Sequence, residues 1–157
     1  MIEIDGSMHS GSGTVVRYAV ALAALREEPL RIRHIRARRD KPGLRPQHLQ
    51  AVRACAAFCG GRLQGDEVGS REIVFQPGRT RNGGEFRFDI GTAGSATMLA
   101  FTLVPLALFA EKPSRFSLTG GLFQDFAPSA FFLRDVLFPH LECMGARIRL
   151  KIERPGY

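Results

Sequence analysis

The side chains best suited to chemistry crowd between Leu30 and His48. From Arg31 to Arg45 there are six arginines, one lysine and one aspartate, a balance of +6 in a chain whose net charge is +7. Arginine supplies 19 of the 22 cations. Its planar fork meets phosphate oxygens two at a time, which a lysine point charge does not. Pro42-Gly43 sets a turn inside the run, and Gln47 and His48 follow behind Pro46. Proline suits the first turn of a helix, and a helix N-terminus adds its own preference for anions. The spacing therefore predicts a phosphate or nucleic-acid contact rather than a merely solvated face.

Two glycine-rich loops are the other candidates. Residues 6–13 hold Gly6, Gly11 and Gly13 among serines, with Arg17 one turn into the helix that follows. The loop lacks the Gly-Lys-Ser/Thr ending of a P-loop and the acidic residue that completes a dinucleotide fingerprint. Gly91-Thr92-Ala93-Gly94-Ser95-Ala96-Thr97 resembles it, and tight packing explains such a loop as readily as ligand approach. His9, His34, His48 and His140 have no metal-type spacing. His34 reads as structural, and His140 as part of the packing of an apolar helix. Asp5, Asp40, Asp89 and Asp125 form no evident acid–base pair. Cys55, Cys59 and Cys143 match neither a disulfide framework nor a zinc site. They read as buried thiols in a reducing cytoplasm.

These side chains need elements to place them. Residues 1–5 read as a strand, and Thr14 as the cap of a helix running to about residue 27. Residues 30–37 read as a strand, with Arg31 and Arg33 on one face and Arg36 and Arg38 sharing a face at its exit. A helix from Pro46 buries Leu49, Val52, Ala56 and Cys59 and stops at Gly60-Gly61. Strands follow near 61–64 and 72–76. After the turn-rich stretch 77–84 the pattern restarts: a strand at 86–90, a helix to about 110, a strand at 116–118, a helix over 128–143 and a strand over 146–152. Gly6 and Gly91, Pro46 and Pro128, and Gly61 and Gly145 are 85, 82 and 84 residues apart. The pattern predicts an α+β fold of repeated βαβαββ units, two helices on one face of a four-stranded sheet in each. The first unit covers residues 1–80. The second, over 84–157, lacks its last strand, which predicts an exposed sheet edge and hence a homo-oligomer or a separately supplied C-terminal half.

Composition agrees with a folded chain. The 157 residues are 45% hydrophobic and 24% charged, enough for a core without metal or disulfide staples. The longest apolar run, residues 98–110, falls short of the ~20 residues that cross a bilayer, so no membrane partner is expected. The basic excess calls for an anionic one.

Several motifs together resemble the N-terminal part of the RNA 3′-terminal phosphate cyclases. They are Ile4-Asp5-Gly6-Ser7, the helix of Arg17, the stretch from Ile35 through Arg45-Pro46-Gln47-His48-Leu49, Phe86 through Thr97, and Pro113 through Gly121. The second glycine motif is shared more loosely with the enolpyruvyl transferases, which have the same repeated architecture. The resemblance implies RNA processing by a ligase-class enzyme. ATP and Mg serve as cofactors, a histidine is adenylylated, and AMP passes to an RNA 3′-phosphate end that closes to a 2′,3′-cyclic phosphate. It implies RNA phosphate binding by Arg17, Arg36, Arg39 and Gln47. Departures accompany it. Ser10 stands where the family has a metal-binding Glu, Thr14 where it has Gln, and Phe101 where it has a nucleotide-contacting Gln. None of the four histidines matches the family nucleophile, which lies in the family's C-terminal third. The resemblance therefore implies a chain inactive alone. A non-catalytic RNA-end binder and an enolpyruvyl-transferase-like small-molecule enzyme are the alternative readings.

Overall fold

The computed structural model describes residues 1–80 and 82–155. β1 (Ile2–Asp5) lies parallel to β2 (Leu30–Arg33), and α1 (Gly13–Arg26) makes the crossover that a parallel pair requires. α2 (Pro46–Cys59) leads into β3 (Arg62–Gln64) and β4 (Ile73–Gln76), which pair antiparallel. β4 also pairs antiparallel with β2, so the sheet order is β1-β2-β4-β3. A second parallel pair follows: β5 (Gly84–Asp89) and β6 (Ser114–Thr119), joined through α3 (Ala96–Leu108). The chain then forms α4 (Ala130–Phe132), a π-wound turn over Leu133–Leu137, and α5 (Phe138–Cys143).

Helices pack on the sheets because the apolar residues of both face one layer. Leu30, Ile32, Ile73 and Phe75 are fully buried from the first sheet, as are Val16 of α1, Val52 and Cys55 of α2 and Leu103 of α3. They belong to one contiguous cluster. Phe58 of α2 extends it to the second pair of strands, its ring 5.1 Å from Phe86 and 5.8 Å from Phe116. Helix α2 therefore touches both sheets. Both parallel pairs open in the same way. Asp5 Oδ1 accepts from the Ser7 N–H at 2.9 Å, and Asp89 Oδ1 from the Gly91 N–H at 2.8 Å. Serines then cap the helices: Ser12 accepts from the Thr14 N–H and Ser95 from the Met98 N–H.

Several expectations change. Ser12, not Thr14, caps α1, and Glu27 ends it in the left-handed region. The strand expected over 30–37 stops at Arg33, because His34 and Arg36 turn left-handed with φ of 53° and 52°. Arg36 and Arg38 are thus turn residues and share no strand face, and His34 sits in that turn with Nδ1 3.1 Å from Asp5 Oδ1. Cys55 and Cys59 are buried as expected, but Cys143 is exposed, and all three are free thiols. Among the described residues the second sheet has two strands, not the three expected, because residues 146–152 join no ladder. In the first half, β3 forms a ladder only with β4; after α5 no strand follows among the described residues to play that part.

Candidate phosphate-binding site

Three helix N-termini meet at one end of the sheets. The first turn of α1 meets the first turn of α2, where residue 13 has to be glycine: a Cβ there would collide with the His48 ring. The Arg45 N–H donates to His48 Nδ1 at 3.3 Å. That bond makes Nδ1 the acceptor and places the ring proton on Nε2. The third helix joins through Gln47, whose Oε1 accepts from the Ser95 N–H at 3.3 Å. Each N-terminus brings N–H groups and positive dipole to the same region.

Arg17 is the unusual member. Its side chain projects from the second turn of α1 and is only 7% exposed. Its Nε and Nη1 are buried and bond to nothing among the described residues. Burial, with the nearby Arg36 charge, pushes its pKa down. An ion left buried without a counter-charge costs several kcal/mol, so the guanidinium is a ready receptor for an anion. Burial also lowers His48, with Arg17, Arg36 and Arg45 adding to the shift, to about 3. The ring is therefore neutral at pH 7, a hydrogen-bond donor through Nε2 that brings no further charge.

The basic run divides in the fold. Arg31 is bound to Glu72 at 2.8 Å and Arg33 to Glu3 at 3.1 Å, so these two serve the sheet. Arg36, Arg38, Arg39 and Arg45 have no ion pair among the described residues. Arg36 is fixed by its left-handed backbone and by Nη1, which donates to the carbonyls of Lys41 at 2.7 Å and Gly43 at 2.9 Å. Its other N–H groups face no protein acceptor among the described residues. Burial lowers its pKa, and the neighbouring Arg45 and Arg39 charges lower it further. A left-handed non-glycine residue costs about 1–3 kcal/mol and persists where its surroundings hold it. Here the β3–β4 connection does so: Ile35 N–H bonds to the Arg71 carbonyl, Leu44 N–H to Ser70 and Gly69 N–H to Leu44, all within 3.0 Å. Gly43, at φ +80°, lies against the Gly69 carbonyl, where a Cβ would not fit. Arg38 lies over Gly11 and donates to the His9 carbonyl at 3.3 Å.

Among the sequence candidates, Arg17, Arg36 and Arg39 thus form one cationic field linked through Arg36, with Gln47 on the adjoining first turn of α2. Among the described residues Phe101 reaches this region only through Tyr18, the neighbour of Arg17. Its ring is 5.9 Å from Tyr18, and it lines an apolar groove with Val104, Leu137 and Leu141. Ser10 is exposed, its Oγ 2.9 Å from Ser12 Oγ. Neutral hydroxyls are poor ligands for a hard dication, and no group of three or more His, Cys, Asp or Glu residues is placed to hold a metal among the described residues. The residues present do not fit a magnesium site. Arg45 and His48 lie in the stretch singled out from sequence, but their roles, Arg45 as the N-cap of α2 and His48 as the partner of Gly13, were not foreseen. The adjacency of Gln47-His48 to Pro46 was a signal for the turn, but nothing local links residue 48 to residue 13.

The arrangement can hold a tetrahedral oxyanion against arginine forks, backbone N–H groups and a neutral imidazole. Fold and site together define an α+β protein with a cluster of arginines and N–H groups where its helices begin. A sequence profile of the RNA 3′-terminal phosphate cyclases matches residues 8–157. Proteins named RNA 3′-terminal phosphate cyclase from Pseudomonas fluorescens and Ignicoccus hospitalis are each 46% identical over the whole of this chain, which covers 45% and 44% of them. One from Archaeoglobus fulgidus is 44% identical, with 48% of its length covered. The chain belongs to the RNA 3′-terminal phosphate cyclase family and spans about half the length of the curated relatives it matches. No helix among the described residues is long and apolar enough to cross a membrane.

Proposed function

We infer that this chain grips the terminal phosphate of an RNA 3′-end in the cradle of Arg17, Arg36, Arg39 and Gln47. The observation that carries the reading is Arg17, a buried guanidinium with two unpartnered nitrogens at the meeting point of helix N-termini. An RNA terminal phosphate fits because it carries more charge than a backbone phosphodiester and more free oxygens. Arg17 and Arg36 take its non-bridging oxygens, the His48 Nε2–H supplies a neutral donor, and Arg39, exposed at the rim, meets the approaching backbone. Gln47 is already engaged with Ser95, so its share is to hold the second glycine loop against the site.

The reading gives this chain the binding step, in the cytoplasm, and no group transfer of its own. The reading rests on the resemblance, in which none of His9, His34, His48 and His140 matches the family nucleophile, and His48 is in addition buried against Gly13. Adenylylation from ATP, and the cyclisation that would follow, then need a nucleophile outside these 157 residues. Incubation with α-labelled ATP and magnesium is expected to leave no acid-labile, alkali-stable label on the chain. A stable adduct would overturn the inactive reading. Binding is tested through its salt dependence. Replacing both Arg36 and Arg39 by Ala is expected to weaken RNA binding and to reduce the slope of log K against log salt by about 1–2. An unchanged slope would return these arginines to the solvated surface.

A further inference from the structure

The first glycine loop and the basic turn are packed against each other at two points. The Gly6 N–H donates to the Arg33 carbonyl at 2.7 Å, and a Cβ on Gly6 would press on the backbone of residues 33–35. Gly11, at φ +52°, lies under the stem of Arg38, and a Cβ there would meet Arg38 Cβ, Cγ and Cδ at 3.2, 3.3 and 3.4 Å. The stem carries the guanidinium past the loop, where Nη1 donates to the His9 carbonyl at 3.3 Å. Its remaining N–H groups bond to nothing among the described residues. The left-handed turn fixes where this side chain starts: the Ala37 and Arg39 N–H groups donate to the carbonyls of His34 and Arg36, each at 3.1 Å.

The oxygens that a dication would need at this loop are engaged elsewhere. The resemblance implies a metal-binding Glu where this chain has Ser10. Ser10 Oγ is 2.9 Å from Ser12 Oγ, which also accepts from the Thr14 N–H. The His9 carbonyl takes the Arg38 proton. Asp5 Oδ1 accepts from the Ser7 N–H and from the Ser7 hydroxyl, at 2.9 and 2.7 Å, and lies 3.1 Å from His34 Nδ1. The charges that remain are the guanidinium groups of Arg17, Arg36, Arg38 and Arg39. A hard dication enters a field of that sign only with carboxylates to offset it, whereas an anion needs none.

We propose that Arg38 stands in the place of a divalent cation: its guanidinium, held over the first glycine loop, grips the same terminal phosphate as Arg17 and Arg36, and that binding needs no metal. The proposal rests on the reading of the cradle as a phosphate site. Arg17, buried with two unpartnered nitrogens, lies one turn beyond the loop and marks the region as built for an anion. A fixed guanidinium does part of what a dication does for a phosphate, since it offsets charge and orients two oxygens at once. It does so without coordination bonds, so a chelator cannot remove it. Arg38 is exposed, and its contribution falls as salt rises.

The test titrates the full chain with an oligoribonucleotide ending in a 3′-phosphate, in chelator and in millimolar magnesium at constant ionic strength. ATP in chelator is the second ligand. Magnesium is expected not to tighten wild-type binding of the RNA end. Arg38→Ala should weaken that binding about 3- to 10-fold in both buffers, and Arg38→Lys should recover part of the loss. Ser10→Glu should weaken it as well, because it sets a carboxylate beside Arg38. Only in the double variant Ser10→Glu/Arg38→Ala should magnesium raise the affinity. Tighter wild-type binding with magnesium, or an Arg38→Ala variant with wild-type affinity for the RNA end, would overturn the proposal and leave the cradle standing. A loss confined to ATP would overturn it in favour of a nucleotide phosphate. A wild type that binds neither ligand would overturn the cradle reading, and the role of Arg38 with it.

Discussion

Arg17 yields an unusual prediction, because one substitution should raise stability and abolish binding together. The side chain is 7% exposed, with Nε and Nη1 buried and unpartnered. Arg17→Met keeps most of the apolar stem and removes the ion. Leaving a buried polar group unsatisfied costs about 1–3 kcal/mol, and a charge costs more, so the free variant should gain roughly 2 kcal/mol. For a chain of this size that is a rise in Tm of about 4–8 °C. The wild type should recover the difference when an anion fills the cradle. A ligand at one hundred times its Kd stabilises by about 2.7 kcal/mol. Thermal unfolding is followed in increasing inorganic phosphate, with chloride holding ionic strength constant. The wild type should start lower and climb, and the variant should start higher and stay flat. A variant that is less stable than wild type and still responds to phosphate would refute the reasoning, because Arg17 would then be a satisfied core residue.

Two further substitutions test the supports of the cradle. His48 has a pKa lowered to about 3 in the folded chain, against about 6.5 when unfolded. The unfolded state therefore takes up the proton first. The stability contribution is complete above pH 6.5 and is lost as the pH falls toward 3, by at most ~1.4 kcal/mol per unit. His48→Gln, which can still accept from the Arg45 N–H, should flatten the dependence of Tm between pH 7 and pH 5; an unaltered profile would assign the slope to other groups. Gly13→Ala should cost about 1–3 kcal/mol by overpacking, because its methyl displaces the His48 ring. It should weaken phosphate-induced stabilisation as well, and a variant with wild-type Tm would show that the ring is free to move.

The sequence carried the local part of this arrangement and little of the rest. Proline at the start of α2, glycine at its end and apolar spacing along α1 and α2 act within a few residues, and those helices lie where the pattern puts them. The alternation from Leu30 to Ala37 concealed the left-handed turn at His34 and Arg36. That turn is held by bonds from Ile35 to Arg71 and from Leu44 to Ser70, partners far along the chain. The basic run looked uniform, yet its members part according to distant acids: Glu3 and Glu72 neutralise Arg33 and Arg31, and among the described residues no carboxylate reaches Arg36. Residues 146–152 show the converse error. Their alternation is genuine and visible in their burial, but a strand also needs a neighbour to bond with, and no local pattern records whether one is there.

The central claim is that the cradle distinguishes a terminal phosphate from other RNA features. The most direct measurement is a pair of fluorescence-anisotropy titrations of the full chain with one dye-labelled oligoribonucleotide, ending either in a 3′-phosphate or in a 3′-hydroxyl, at the same salt. A charge-assisted contact with Arg17 and Arg36 is worth about 1.5–3 kcal/mol, so the phosphate end should bind roughly 10- to 150-fold more tightly. Equal affinity for the two ends would contradict the account.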